Sequence, residues 1–192
     1  MKFKDRPKGI IEGLGVPYGG PVDGKDLYGQ AFVKTTNFAL DWFKGQRPLL
    51  FEHGLDDLVG LDQLGHVRKI DAVEEGLWIE AQLNKRHDYY NAVAQLIADE
   101  ALGLSSGSAP HLIQVDSSGV IRSWPILEMS LTTSPANPFA TVSAFKSFRA
   151  VCDDKGIDLE SLKSADPPPP VNRDDSDWIW QQKQRLRLLD AN

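Results

Sequence analysis

Along residues 76–83, Leu77, Ile79, Ala81 and Leu83 alternate with Trp78, Glu80 and Gln82. A period of two puts the four aliphatic side chains on one face, as a half-buried strand requires and a helix does not. Residues 66–73 (HVRKIDAV) are extended in character too, and Glu74-Glu75-Gly76 supplies a turn between the two runs. Further strand-like runs stand at 48–53 (PLLFEH), 111–116 (HLIQVD), 119–124 (GVIRSW) and 126–133 (ILEMSLTT). Asp116-Ser117-Ser118-Gly119 reads as a hairpin turn, and PANP at 135–138 stops the last strand. Residues 9–30, rich in Gly and Pro, read as one or two short strands joined by turns.

Helical signals are fewer. Thr36 is placed to cap a helix through about Lys44, burying Phe38, Leu40 and Trp42 or Phe43. Asp88 is placed to cap a clearer one over 89–101, where Tyr90, Val93, Leu96 and Ile97 fall at helical spacing and Gly103 ends the run. Many strands with few helices predict a mainly β (α+β) chain, a small barrel or sandwich with helices outside it. After about residue 150 the character changes. Residues 153–166 are acidic, Pro167–Pro170 form a stiff spacer, and a short helix follows with Trp178, Gln182, Leu186 and Leu189 on one side. The predicted organisation is a domain over 1–150 and, over 151–192, an acidic and proline-rich linker with a docking helix, whose alternative is a helix that packs its Trp178 and Leu186 side onto the body.

A net charge of −6 and a pI near 5.2 argue against nucleic acid, whose binders need a basic face. Cys152 is the only cysteine, so no intrachain disulfide forms, and a reducing compartment is expected. No signal-peptide pattern opens the chain and no 18 apolar residues run together. The CxxC and Cys/His zinc patterns are absent, and the expectation is a soluble, cytosolic protein that spans no membrane.

The chemistry-bearing stretch is Gly103-Leu104-Ser105-Ser106-Gly107. Small residues around a serine let the backbone bend tightly, expose the hydroxyl and free N–H groups for an oxyanion. It matches the G-x-S-x-G elbow of α/β-hydrolases, but those place an acid and then a histidine well after the serine. Here only His111 follows Ser105, six residues on, and repeated βαβ units are absent. The commoner fate of such a pentapeptide is a loop whose serines cap backbone groups.

A serine nucleophile needs a base. Of His53, His66, His87 and His111, His53 has the best setting, at the end of an apolar strand and before Gly54. The third role, holding the imidazole and stabilising its cation, needs an anchored polar group. Glu128 interrupts an otherwise apolar strand, on the face opposite Leu127, Met129 and Leu131 and shared with Ser130. An ordinary solvent-facing glutamate would show the same alternation.

Taken in order, these pieces resemble the tailed-phage prohead protease family, whose fold is similar to that of the herpesvirus capsid-maturation (assemblin) proteases. The resemblance covers about residues 9–145. It rests on Tyr28-Gly29-Gln30-Ala31-Phe32, Leu50-Phe51-Glu52-His53-Gly54, Leu64-Gly65-His66-Val67 and Glu75-Gly76-Leu77-Trp78-Ile79-Glu80-Ala81. It continues through Gly103-Leu104-Ser105-Ser106-Gly107 and Glu128-Met129-Ser130-Leu131 to Pro135-Ala136-Asn137-Pro138. It implies a serine endopeptidase with Ser105 as nucleophile, His53 as base and Glu128 as third member, needing no cofactor. The family form has an aliphatic residue after the serine and an aromatic after the glycine, where this chain has Ser106 and Ser108. Herpesvirus relatives have a histidine in the third role, so His111 and Asp116 stand as alternatives to Glu128. The implied substrates are a phage major capsid protein's scaffold segment, scaffold protein and the protease itself. The implied place is the immature capsid in the bacterial host cytoplasm. A homo-oligomer is compatible with this reading. The rival expectation is a catalytically silent capsid-assembly protein with the same fold.

Overall fold

The structure is a computed structural model and describes residues 1–41, 46–137, 139 and 152–158. The predicted helix beyond Pro167–Pro170 lies outside the described residues. In chain order the elements are β1 (Lys2–Asp5), β2 (Ile10–Pro17), β3 (Pro48–Phe51), β4 (Gly65–Val73), β5 (Gly76–Leu83), α1 (Tyr90–Ala98), β6 (Gly103–Gly107), β7 (Gln114–Val115), β8 (Ile121–Ser123) and β9 (Glu128–Thr132). Seven strands form one sheet in the order β1-β2-β5-β4-β3-β9-β6, and β7 pairs with β8. The chain is mostly β with few helices, as its sequence pattern predicts.

The β4–β5 hairpin forms where the alternation predicts it, with Ile70 opposite Ile79 and Ala72 opposite Leu77. Leu77, Ile79, Ala81 and Leu83 are each at most 2% exposed. Burying a side chain of this size contributes roughly 1.5–3 kcal/mol, so this face anchors the core. The sheet curls over it. At Gly15 in β2, an added Cβ would lie 2.3 Å from Cγ1 of Ile79 and 2.8 Å from Cε of Met129 in β9, so only glycine permits the approach. Among the described residues no ladder joins the outer strands β1 and β6, so the hydrogen-bonded order is open. Helix α1 covers the core with Val93, Leu96 and Ile97.

Several local expectations are corrected. Thr36–Leu40 do not form a helix. Asn37 bridges Ser123 instead: its N–H donates to the carbonyl of Arg122 (3.0 Å), and its carbonyl accepts from the N–H of Trp124 (2.9 Å). Backbone groups committed to β8 are unavailable for a helical ladder. Residues 42–45 lie outside the described residues. Helix α1 is shorter than predicted and has no side-chain cap bond; the N–H of Tyr89, just before it, donates to Nδ1 of His87 (3.1 Å). Residues 110–112 make a 3-10 turn, leaving β7 only two residues long.

Candidate active site

Strand β3 runs between β4 and β9, and Leu49, Leu50 and Phe51 are fully buried. The chain then turns sharply, with Glu52, His53 and Gly54 at φ of 44°, 56° and 72°. A non-glycine residue in this left-handed region costs roughly 1–2 kcal/mol, so the surroundings must hold it there. Strand β9 contributes to this, since the His53 N–H donates to Oγ of Ser130 (3.0 Å), and within the turn the Leu55 N–H donates to the Glu52 carbonyl (2.9 Å). The predicted strand over 48–53 therefore ends at Phe51, and the turn reorients His53.

Glu128 opens β9 and is 1% exposed. It is not a solvent-facing glutamate, because β3 and β6 flank β9 and all five of its residues are buried. Its Oε1 lies 2.6 Å from Nδ1 of His53, and its Oε2 accepts from Oγ of Ser130 at 2.7 Å. With Nδ1–H donating to the carboxylate, the neutral ring carries its lone pair on Nε2. Desolvation of the ring works against its cation. The charge and hydrogen bond of Glu128, with a further contribution from Glu52, outweigh this and raise the His53 pKa above its ordinary value of 6.5.

Ser105 lies in β6, directly opposite Ser130, and Gly107 lies opposite Glu128. Opposed residues of an antiparallel ladder present their side chains on the same face. Ser105 thus shares the face of Ser130 and Glu128, one strand from the carboxylate that holds His53. Its Oγ makes no hydrogen bond to a described residue. Ser106 opposes Met129 on the other face and accepts the indole N–H of Trp124 (3.1 Å). Ser108 is buried. Gly103–Gly107 is neither a tight bend nor the loop that such a pentapeptide more commonly forms: it is a strand, and Gly107 has a different use. A Cβ on Gly107 would fall 1.9 Å from Oε1 of Glu128, so the missing side chain is the space the carboxylate occupies.

The alternative third members lie elsewhere. Oδ1 of Asp116 accepts from the N–H groups of Ser118 (2.9 Å) and Val120 (3.0 Å), and Oδ2 accepts from Nε of Arg122 (2.8 Å). The Ser118 hydroxyl, these N–H groups and Arg122 hold its carboxyl far below the usual range. His111 is exposed on the 110–112 turn. Of the other histidines, His66 lies in β4 opposite Gln82 of β5, and His87 is buried beside α1. Two residues given no role from sequence also belong to the cluster: Ser130, which bonds both Glu128 and the His53 backbone, and Glu52. The only sequence signal for Ser130 was its shared face with Glu128.

No protein-family profile matches this chain, and no curated protein matches it. Among solved structures it is similar to the KSHV protease in complex with a hexapeptide phosphonate inhibitor. The two share 16% identity over 91% of this chain and 93% of the other, with a TM-score of 0.41. No helix among the described residues is long and apolar enough to cross a membrane.

Proposed function

We propose that this protein is a serine endopeptidase with Ser105 as nucleophile, His53 as general base and Glu128 as the group that orients and charges the imidazole. One observation carries the reading: a buried carboxylate bonded to Nδ1 of a histidine, on the strand that pairs with the serine. Nε2 of His53 takes the Ser105 proton as Oγ attacks a peptide carbonyl. The imidazolium, stabilised by Glu128, then protonates the departing amine, and water hydrolyses the acyl-enzyme by the same route. The ordered residues of the prohead protease resemblance support a substrate class: scaffold and capsid-protein segments, and the protease itself, in an immature phage shell. In the same reading the segment over 151–192 docks the enzyme in that shell.

The test is reaction of the full chain, assembled with its capsid protein, with a serine-directed fluorophosphonate, followed by peptide mapping. The expected adduct is on Ser105, with cleaved scaffold segments in the untreated sample. An adduct on Ser106 or Ser108, or an assembled protein that neither labels nor cuts, overturns the reading and favours the silent assembly role.

The raised His53 pKa sets a pH dependence. The base must be neutral, so kcat/KM is expected to rise through a limb centred above 6.5, the ordinary histidine value. Stability runs the other way. A group whose pKa is higher folded than unfolded contributes fully below the unfolded value, and that contribution is lost as pH rises through the folded one. Glu128→Gln is expected to move the limb toward acid and lower its plateau by about 10²-fold. A limb that stays in place in the Glu128→Gln protein removes Glu128 from this role.

A further inference from the structure

Beyond the three residues of the proposed machinery, one buried acid is tied to the same turn. Glu52 is 5% exposed. Its Oε2 accepts from Oγ of Thr132 (2.7 Å), and its Oε1 accepts from the N–H (2.7 Å) and Oγ (2.9 Å) of Thr133. Three donors from the end of β9 thus converge on one side chain. They fasten the left-handed turn to the strand that begins with Glu128. Glu52 itself has a positive φ, as does His53 after it, so neither residue holds this backbone by preference. The His53 imidazole is therefore located from two points on β9: Glu128 and Ser130 near its start, and Thr132 with Thr133 at its end.

We propose that Glu52 is a positioning residue, clamping the His53 turn to β9 so that Nδ1 meets Glu128. It also places a second negative charge near the ring. The proposal rests on the reading of His53 as the general base, but its structural content is measurable without turnover. The charge of Glu52 adds to that of Glu128 in favouring the His53 cation. Glutamine is nearly isosteric and keeps an acceptor for Thr133, while its amide donates to the Thr132 hydroxyl, which turns to accept. Glutamine thus separates the clamp from the charge, and alanine removes both.

The experiment is NMR of the ¹⁵N-labelled full chain, following the low-field His53 Nδ1 proton and the ring's titration midpoint. Circular dichroism checks the fold of each variant. Glu52→Ala is expected to lose the low-field proton while melting cooperatively. Glu52→Gln is expected to keep that proton but titrate at a lower midpoint than wild type. A folded Glu52→Ala protein with the wild-type signal and midpoint overturns the clamp. An unchanged midpoint in Glu52→Gln overturns the charge contribution. If the alanine form does not fold, the Thr132→Val/Thr133→Val protein, which lacks both hydroxyl donors to Glu52, takes its place, and the wild-type signal and midpoint there overturn the clamp. Because these signals need no substrate, a protein that cuts nothing would refute the peptidase reading while still testing Glu52.

Discussion

Replacing Ser105 by alanine is expected to lower peptide hydrolysis by about 10⁶-fold, the scale set when a nucleophile that works as one unit with its base is removed. Its Oγ makes no hydrogen bond to a described residue, and the strand position accepts alanine. Stability should therefore change by no more than about 0.5 kcal/mol. Ser106→Ala is the matched control, because its hydroxyl is held by Trp124 on the opposite face of β6. His53→Ala should be about as damaging as Ser105→Ala, and the double variant no worse than either, since each loss disables the same proton transfer. The measurements are cleavage of the proposed capsid-protein substrate and a thermal melt for all four proteins. Additive losses, or a Ser105→Ala protein that still cuts while Ser106→Ala does not, would remove Ser105 from the mechanism.

What could be read from the sequence follows the range of the forces involved. The β4–β5 hairpin and α1 are specified by local periodicity, and both appear within a few residues of where the pattern puts them. Thr36 looks like a helix cap when read locally. In the structure its hydroxyl accepts from the Val33 N–H (3.0 Å) and donates to the distant Ile121 carbonyl (2.7 Å). A contact across 85 positions leaves no local trace. The site shows the same division. Ser105, His53 and Glu128 were identifiable as residue types in suggestive settings, and alternation already placed Glu128 and Ser130 together. The burial of Glu128 was not legible, because it depends on β3 lying parallel on one side of β9 and β6 antiparallel on the other. Nor was the left-handed turn, since neither glutamate nor histidine favours it. Partners at positions 128, 130, 132 and 133 impose it.

Gly107→Ala carries the second large effect expected, and it tests the packing of the site apart from its chemistry. An alanine Cβ there would sit 1.9 Å from Oε1, 2.7 Å from Cδ and 2.9 Å from Cγ of Glu128. A flexible exposed glutamate would simply move aside. Glu128 is 1% exposed and held by His53 and Ser130, so the clash resolves by breaking those bonds or by pushing β6 from β9. Overpacking of this kind costs roughly 1–3 kcal/mol, which leaves the fold standing. The catalytic loss should be larger in proportion, about 10³-fold, because the imidazole loses both its orientation and its counter-charge. A double-variant cycle identifies the cause. Glu128→Ala empties the space that the new methyl group needs, so Gly107→Ala should add little in that background, and the two losses should be strongly non-additive. An equal loss from Gly107→Ala with and without the Glu128 side chain would show that the glycine serves the β6 backbone, not the carboxylate.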